Sequence, residues 1–288
     1  MKVFTKTLSS LLVLSLLTAC QKDDAHFDRT LAGTQTSGVF GGEDAAPNEL
    51  PFLVNIWLNS PKDIFNDHLC GGSLVHKKWV LTAAHCVLER ATDKNAGFIN
   101  ISEMKLFIGS NKISGEGGRE LKAKSILIHP DFSWPKHDVA LIELEAEVHN
   151  VTPVVLNTND LDSSPSPLTA IVMGWGLVDN KGHQAEDLQK ITLPLITRAE
   201  CTKDSYVQKR GWTIEADTLC ASTSNNTRSA CSGDSGGPLV QKTGDHYVQV
   251  GIVSWGTGCL GRNPLAKSNV EGYANVADAY TWIQSVIQ

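Results

Sequence analysis

Residues 231–239 read Cys-Ser-Gly-Asp-Ser-Gly-Gly-Pro-Leu. Ser235 lies among glycines, which lack a Cβ and let the backbone turn tightly while a substrate carbonyl approaches it. This setting is typical of a nucleophilic serine. The N–H groups of Gly233 and Ser235 are then candidates for an oxyanion hole, in which each donor contributes roughly 3–4 kcal/mol. Alone, the stretch also fits an ordinary surface loop or the Gly-x-Ser-x-Gly turn of α/β-hydrolases.

Two upstream residues are the candidate partners of this serine. His85 follows one apolar run and Asp138 precedes another. Each by itself is more often structural, as a surface histidine or a turn aspartate. Together with Ser235 they supply a nucleophile, a base that takes and returns a proton near neutral pH, and an acid that fixes the tautomer of the base. An α/β-hydrolase needs its histidine after the serine, where only His246 is found, so this alternative is disfavoured.

Composition sets the limits of the interpretation. The chain has 288 residues, 41% of them hydrophobic, and a net charge of -6. That is enough apolar material for a core in one large or two small domains. The acidic balance gives no reason to expect a nucleic-acid partner. The cysteine count of seven is odd, so at least one cysteine differs from the others in its fate.

Residues 1–19 are predicted to be a signal peptide. Lys2 and Lys6 precede an apolar run at 11–17 that is too short to cross a bilayer. The Leu-Thr-Ala-Cys ending at Cys20 resembles the lipobox of bacterial lipoproteins, which implies removal of the preceding residues and lipidation of the Cys20 sulfur. The alternatives are a plain signal peptide or a buried N-terminal helix. Without Cys20, an even number of cysteines remains for an oxidising compartment.

The rest of the chain divides at Val39. Residues 20–38 are polar and lack apolar periodicity, so they are interpreted as a lipid-anchored flexible linker and propeptide, roughly 20–25 Å across as a coil. After it come short apolar runs separated by turn signals, which predict an all-β sandwich or pair of barrels. The runs are 52–58, 73–75, 79–81, 106–108, 126–128, 139–142, 170–173, 191–196 and 248–253. The C-terminal segment has helical apolar spacing, with Asp278 as its candidate N-cap.

These motifs resemble those of the chymotrypsin-family, trypsin-like serine endopeptidases. The resemblance covers residues 39–288 and implies two packed six-stranded antiparallel β-barrels with a C-terminal α-helix. It implies His85 as the general base, Asp138 as its orienting acid, Ser235 as the nucleophile, and the Gly233 and Ser235 amides as the oxyanion hole. Further matching motifs are Val39-Phe-Gly-Gly42, Cys70-Gly-Gly-Ser-Leu74, Gly174-Trp-Gly176, Cys201, Cys220 and Ser254-Trp-Gly256.

The resemblance also implies the disulfides, for which the sequence alone leaves fifteen arrangements. The implied pairs are Cys70 with Cys86, Cys201 with Cys220, and Cys231 with Cys259. A zinc site at His85 and Cys86, with His68 and Cys70, is the alternative, but a disulfide would use the thiolates. Neither a cofactor nor a metal is expected, and Ser110 stands where calcium-binding members have their first glutamate.

A proenzyme is implied as well. Cleavage before Val39 would create an amine that pairs with Asp234 and orders the Gly233 amide. Phe40 replaces the usual small branched residue, and Gly38 precedes the bond instead of Lys or Arg. The activating protease is therefore unknown and not of the trypsin type.

Substrate preference is the least determined property. Ser229 stands where trypsins carry aspartate, which favours chymotrypsin-like or broad specificity. Glu271 either lines the pocket wall, where it would admit basic side chains or narrow the pocket, or faces solvent. The residues assigned to substrate binding are Ser229, Ala230, Ser232, Ser254, Trp255, Gly256 and Glu271.

The sequence therefore predicts an exported serine endopeptidase. Its partners would be protein or peptide substrates, an unknown activating protease, and the membrane through lipidated Cys20 before activation. It would be an outer-membrane lipoprotein, or periplasmic or extracellular after release. A non-catalytic binding protein on the same scaffold and an esterase are the alternatives.

Overall fold

The computed structural model describes residues 38–58, 68–162, 168–179, 182–223, 228–257 and 270–288. The predicted signal peptide, Cys20 and Cys259 lie outside the described residues, as does the predicted linker except for Gly38. No helix in the described ranges has the length and apolar character needed to cross a membrane.

The described residues form two lobes of mainly antiparallel sheet. In chain order the elements are α1 (Gly38–Gly41), β1 (Glu43–Asp44), β2 (Leu53–Leu58), β3 (His68–His76), β4 (Trp79–Thr82), β5 (Met104–Ile108), β6 (Arg119–Leu121), β7 (Ala123–Ile128), β8 (Ala140–Leu144), β9 (Val155–Leu156), β10 (Thr169–Gly174), β11 (Gln189–Ile196), α2 (Arg198–Thr202), α3 (Ser205–Arg210), β12 (Thr218–Ser222), β13 (Pro238–Thr243), β14 (His246–Gly256), β15 (Val270–Asn275) and α4 (Val276–Ile287). Two 3-10 turns, Ala84–Cys86 and Ile101–Glu103, follow β4 and precede β5.

The N-terminal lobe is a half-barrel of seven strands in the order β6-β5-β2-β3-β4-β8-β7. Alternate residues of β5 are buried, as expected for a sheet with one face on a core and the other toward solvent. The apolar faces of this sheet enclose one cluster of aliphatic side chains that includes Leu74, Leu81, Leu106 and Leu141.

The C-terminal lobe is a closed barrel of six strands. Its order is β11-β10-β13-β14-β15-β12, and β12 returns to pair with β11 at Cys220↔Ile196. Strands β1 and β9 add to β11 and β14 from outside. Closure pairs each barrel strand with two neighbours, although the end of β14 extends beyond its last pair with β13 at Ile252. The predicted all-β trypsin-like fold class is thus confirmed, with the first lobe built as a half-barrel.

The C-terminal helix α4 is also present, and its N-cap is Asn275. The Asn275 side chain accepts the Ala277 N–H at 3.1 Å, while Asp278 lies within the first turn. The prediction of Asp278 as N-cap was therefore wrong. The apolar spacing alone could not show that helical geometry begins three residues earlier.

The two lobes meet through a contact that requires glycine. The Gly71 N–H of β3 donates to the Ser235 carbonyl at 2.7 Å. A Cβ on Gly71 would lie 2.8 Å from the Gly237 Cα, closer than carbon atoms can approach. The loop that carries Ser235 therefore rests directly on the backbone of β3.

Two disulfides join residues within the described ranges, one beside this contact and one between α2 and β12. Cys70 is bonded to Cys86 and Cys201 to Cys220. Cys231 is also disulfide-bonded, and its expected partner Cys259 lies outside the described residues. Because the Cys70 and Cys86 sulfurs are bonded to each other, neither offers a thiolate to the alternative zinc site.

Candidate active site

His85 and Asp138 form the best-defined polar pair of the cleft. The His85 Nδ1 lies 2.7 Å from Asp138 Oδ2, and the His85 backbone N–H donates to Oδ1 at 2.9 Å. The 3-10 turn after β4 presents the histidine, and the start of β8 presents the aspartate. An acceptor at Nδ1 keeps the proton of the neutral ring on that nitrogen, so Nε2 is left to accept a proton from a nucleophile.

A third donor reaches Asp138 from the other lobe. The Ser254 hydroxyl donates to Asp138 Oδ2 at 2.6 Å. Ser254 lies at a β-bulge, because the register of β14 against β15 shifts between Val253 and Trp255. Such an extra residue turns a side chain out of the regular alternation. The bulge thus directs a hydroxyl of the C-terminal lobe onto a fully buried carboxylate of the N-terminal lobe.

Ser235 lies beside the same turn. Its neighbour Gly236 has φ 75° and packs against Thr82. A Cβ on Gly236 would also lie 3.0 Å from the Cys86 sulfur, next to His85 in the chain. The structure therefore brings the predicted nucleophile, base and acid to one cleft at the lobe boundary.

The loop before Ser235 leaves two amides available to a substrate. Gly233 has φ 101°, a left-handed conformation that favours glycine. Within the described ranges, neither the Gly233 nor the Ser235 N–H donates to another backbone group, whereas the Asp234 N–H between them donates to the Cys231 carbonyl. The geometry is compatible with the predicted oxyanion hole.

Asp234 points away from the cleft into the C-terminal lobe. Its carboxylate accepts the Gly176 N–H at 2.9 Å and the Cys231 N–H at 2.8 Å, and only 1% of the residue is exposed. Burial raises the pKa of this carboxyl to about 6, although both backbone hydrogen bonds act to lower the pKa. No ion pair in the described ranges includes Asp234.

Gly174 and Gly176 have a role that the sequence did not reveal. A Cβ on either residue would collide with the Asp234 carboxylate oxygens. The Gly-Trp-Gly motif therefore provides the space in which a buried carboxylate is held. The motif was recognised by resemblance, and only the spatial contact explains its glycines.

The proposed cleavage site at Val39 lies in α1, packed on the same lobe. The Val39 side chain is fully buried in the apolar cluster that contains Val172 and Ile191. Its φ is 47°, which is strained for a β-branched residue.

A pocket opens beside Ser235. It is lined by Ala230, Cys231, Ser232, Ser235, Val253, Ser254, Trp255, Gly256, Glu271 and Tyr273. Six of the seven predicted substrate-binding residues lie on its wall, and the seventh, Ser229, is buried immediately before it. A Cβ on Gly272 would collide with the Trp255 ring, so glycine leaves the space that this ring occupies.

Glu271 lies on the pocket wall and not in solvent. Only 5% of it is exposed, and its carboxyl accepts the Ala230 N–H at 3.0 Å and the Tyr273 hydroxyl. Burial raises the Glu271 pKa to about 8, and the Asp234 carboxylate raises the pKa further against these two hydrogen bonds. Near neutral pH this carboxyl is therefore largely protonated.

Trp134 is a cleft residue that the sequence analysis missed. Its ring meets the His85 ring edge-on, with 5.3 Å between centroids and an interplanar angle of 82°. It also packs against the apolar cluster that contains Trp255. Its only sequence signal was an aromatic residue in the short loop before Asp138.

Comparison with known proteins agrees with this arrangement. The family model described as Trypsin matches residues 39–283. A protein described as tryptase, from Mus musculus, is 33% identical over 262 residues, covering 87% of this chain and 89% of the mouse protein.

The hydrogen bond from Ser254 to Asp138 yields a first prediction. The substitution Ser254→Ala should lower kcat about tenfold, because a hydrogen bond to a charged group contributes about 1.5–3 kcal/mol. Steady-state kinetics on a peptide substrate would measure the loss. Ser73→Ala is the control. It removes a buried hydroxyl that donates to the Gln249 side chain at 2.6 Å and makes no hydrogen bond to Asp138 in the described ranges. An unchanged kcat in Ser254→Ala would contradict the prediction.

Proposed function

Because this chain belongs to the trypsin family of serine endopeptidases, we propose that it cleaves peptide bonds through an acyl-enzyme formed on Ser235. The observation that carries the proposal is the Asp138 carboxylate, which is held by His85 from one lobe and by Ser254 from the other. His85 takes the Ser235 proton as the hydroxyl attacks the substrate carbonyl, and later gives it to the leaving amine. Asp138 stabilises the imidazolium, and the Gly233 and Ser235 amides hold the oxyanion.

The substrate backbone is proposed to add a strand to β14. Strand β15 pairs with one edge of this segment, as at Gly256↔Glu271. On the opposite edge, β13 begins only at Pro238, opposite Ile252. Residues 254–256 therefore present an edge that an extended peptide can pair with. Peptide substrates fit this edge better than simple esters, which have no backbone to pair.

Inactivation of the triad tests the proposed mechanism. Ser235→Ala and His85→Ala should each lower kcat by about 10⁴–10⁶-fold, and the double variant should be no worse, because the residues act as one unit. The measurements are peptide hydrolysis and labelling of Ser235 by an organophosphonate. Ser285→Ala, on an exposed position of α4, is the control. These assays use protein cut before Val39. Cut wild-type protein that neither hydrolyses peptides nor takes the label would instead support a non-catalytic binding protein.

Activation is proposed to occur by cleavage between Gly38 and Val39. The intact chain holds Val39 in a strained turn and buries the Asp234 carboxylate without a cation among the described residues. Cleavage would release the strain and supply an ammonium group for Asp234. Pairing with Asp234 would raise the pKa of the Val39 amine above its ordinary value of about 8. The ion pair would therefore be fully formed at pH values below about 8 and would be lost as pH rises through the raised pKa.

The coupling of Val39 to Asp234 yields an activation prediction. Protein cut before Val39 should take the phosphonate label and the uncut protein should not. Asp234→Asn in the cut protein should abolish most of the gain, whereas Asp245→Asn at an exposed turn should not. If Cys20 is lipidated, fractionation should find the cut form released from membranes. Active protein that is uncut at Val39 would contradict the proposal.

Glu271 is proposed to give the pocket a dual preference. While protonated, it lines a neutral pocket that suits large apolar side chains beside Ser229 and Ala230. When ionised, it offers a buried negative charge to the ammonium group of a lysine side chain. Pocket preference is thus proposed to be chymotrypsin-like at low pH and broader at higher pH.

The raised pKa of Glu271 predicts how the preference for Lys over Phe changes with pH. The kcat/KM for a peptide with Lys before the cleaved bond, divided by that for Phe, should increase about tenfold as pH rises through about 8. The ratio cancels any pH effect that acts on both substrates alike. In Glu271→Gln the ratio should be flat. A rise that persists in this variant would contradict the assignment.

A further inference from the structure

An aromatic cluster extends from the wall of the substrate pocket. The Trp255 ring lies 5.0 Å from the Trp212 ring and 6.4 Å from the Tyr206 ring, measured between centroids. Tyr206 and Trp212 meet edge-on at 5.8 Å. Helix α3 carries Tyr206, and its left-handed end at Gly211, with φ 64°, returns the chain so that Trp212 joins the same cluster.

Arg210 lies on the outer part of this cluster. Its guanidinium carbon is 4.9 Å from the Tyr206 ring centroid and 5.4 Å from the Trp212 ring centroid. The side chain is exposed, and no ion pair in the described ranges includes it. Stacking on rings orients a guanidinium without using its N–H donors. Those donors remain available to a carboxylate, which a guanidinium binds through two parallel hydrogen bonds.

We propose that Arg210 selects substrates with Asp or Glu three or four residues before the cleaved bond. The proposal rests on the endopeptidase function and on strand addition to β14. A peptide antiparallel to residues 254–256 has its cleaved bond near Ser254, and its preceding residues pass Gly256. At about 3.3 Å per residue, the third and fourth preceding positions lie roughly 10–13 Å upstream. Arg210 is linked to Trp255 through the Trp212 ring, and the proposal places its guanidinium beside these upstream positions.

The expected selectivity is modest because Arg210 is exposed. An exposed ion pair corresponds to about a two- to fivefold preference, which decreases as salt screens the charges. The neighbouring Lys209 provides a matched comparison. It is exposed and lies in the same last turn of α3, but no cation–ring contact is found for it in the described ranges.

The test uses protein cut before Val39 and two sets of otherwise identical peptides. The fourth residue before the cleaved bond is Glu, Gln or Lys in one set, and the third residue is varied in the same way in the other. Wild-type protein should cleave a Glu peptide about two- to fivefold faster in kcat/KM than its Gln counterpart, and the Lys peptide most slowly. Arg210→Gln should abolish this order, Arg210→Glu should reverse it, and Lys209→Gln should leave it intact. High salt should reduce the wild-type preference.

Two results would overturn the proposal. One is a Glu-to-Gln ratio near one at both positions in wild-type protein that cleaves every peptide, which would leave the endopeptidase function intact. The other is an unchanged preference in Arg210→Gln. Absence of all cleavage together with absence of phosphonate labelling would instead overturn the endopeptidase function, and the Arg210 proposal with it.

Discussion

The Asp138 carboxylate is the constraint on which the rest of the structure depends. A fully buried carboxylate without donors would cost several kcal/mol, so the chain must bring donors to it. Two come from His85 and one from Ser254, which belong to different lobes. Beside it, the His137 N–H donates to buried Asp217 of the C-terminal lobe at 3.1 Å. The hydrogen bonds that these two buried carboxylates require therefore tie the two sheets to each other.

Close approach is the second requirement, and glycine meets it. At the lobe boundary, a side chain on Gly71 or Gly236 would force the Ser235 loop away from β3 and the His85 turn. Around Asp234, Gly174 and Gly176 provide the space for the carboxylate. These glycines are needed for contacts between segments distant along the chain, and not only for local turns. Substitution at these positions would move the proposed catalytic groups as well as reduce stability.

The sequence predicted best those features that depend on neighbouring residues along the chain. All nine predicted apolar runs overlap observed strands, because burial on a sheet face leaves a pattern that a single chain shows. Six strands had no predicted run, namely β1, β6, β9, β12, β13 and β15. The first three have only two or three residues and show no periodicity, whereas the last three mix polar residues or glycine with apolar ones. The Asn275 cap and the position of Trp134 were missed, and the sequence left open whether Glu271 lines the pocket or faces solvent. Each depends on a neighbour that only the folded chain provides.

The candidate site divides in the same way. Ser235, His85 and Asp138 were predicted from residue type, order and resemblance, which are properties of the sequence. The pocket around Glu271 depends on how β14, β15 and residues 228–232 pack together. The perturbed pKa of Glu271 follows from that burial and from the nearby Asp234, neither of which spacing reveals.

The open edge of β14 has a wider consequence. Backbone N–H and C=O groups are the same in every protein, so strand pairing with residues 254–256 would not depend on the sequence of the bound chain. Any extended peptide could pair there, including an inhibitor that is not cleaved. An unprotected edge is ordinarily a hazard that folded proteins conceal. The open edge of β14 is only three residues long, which limits nonspecific pairing with other chains. Discrimination among the proteins this enzyme meets then falls to the few side chains that flank the edge.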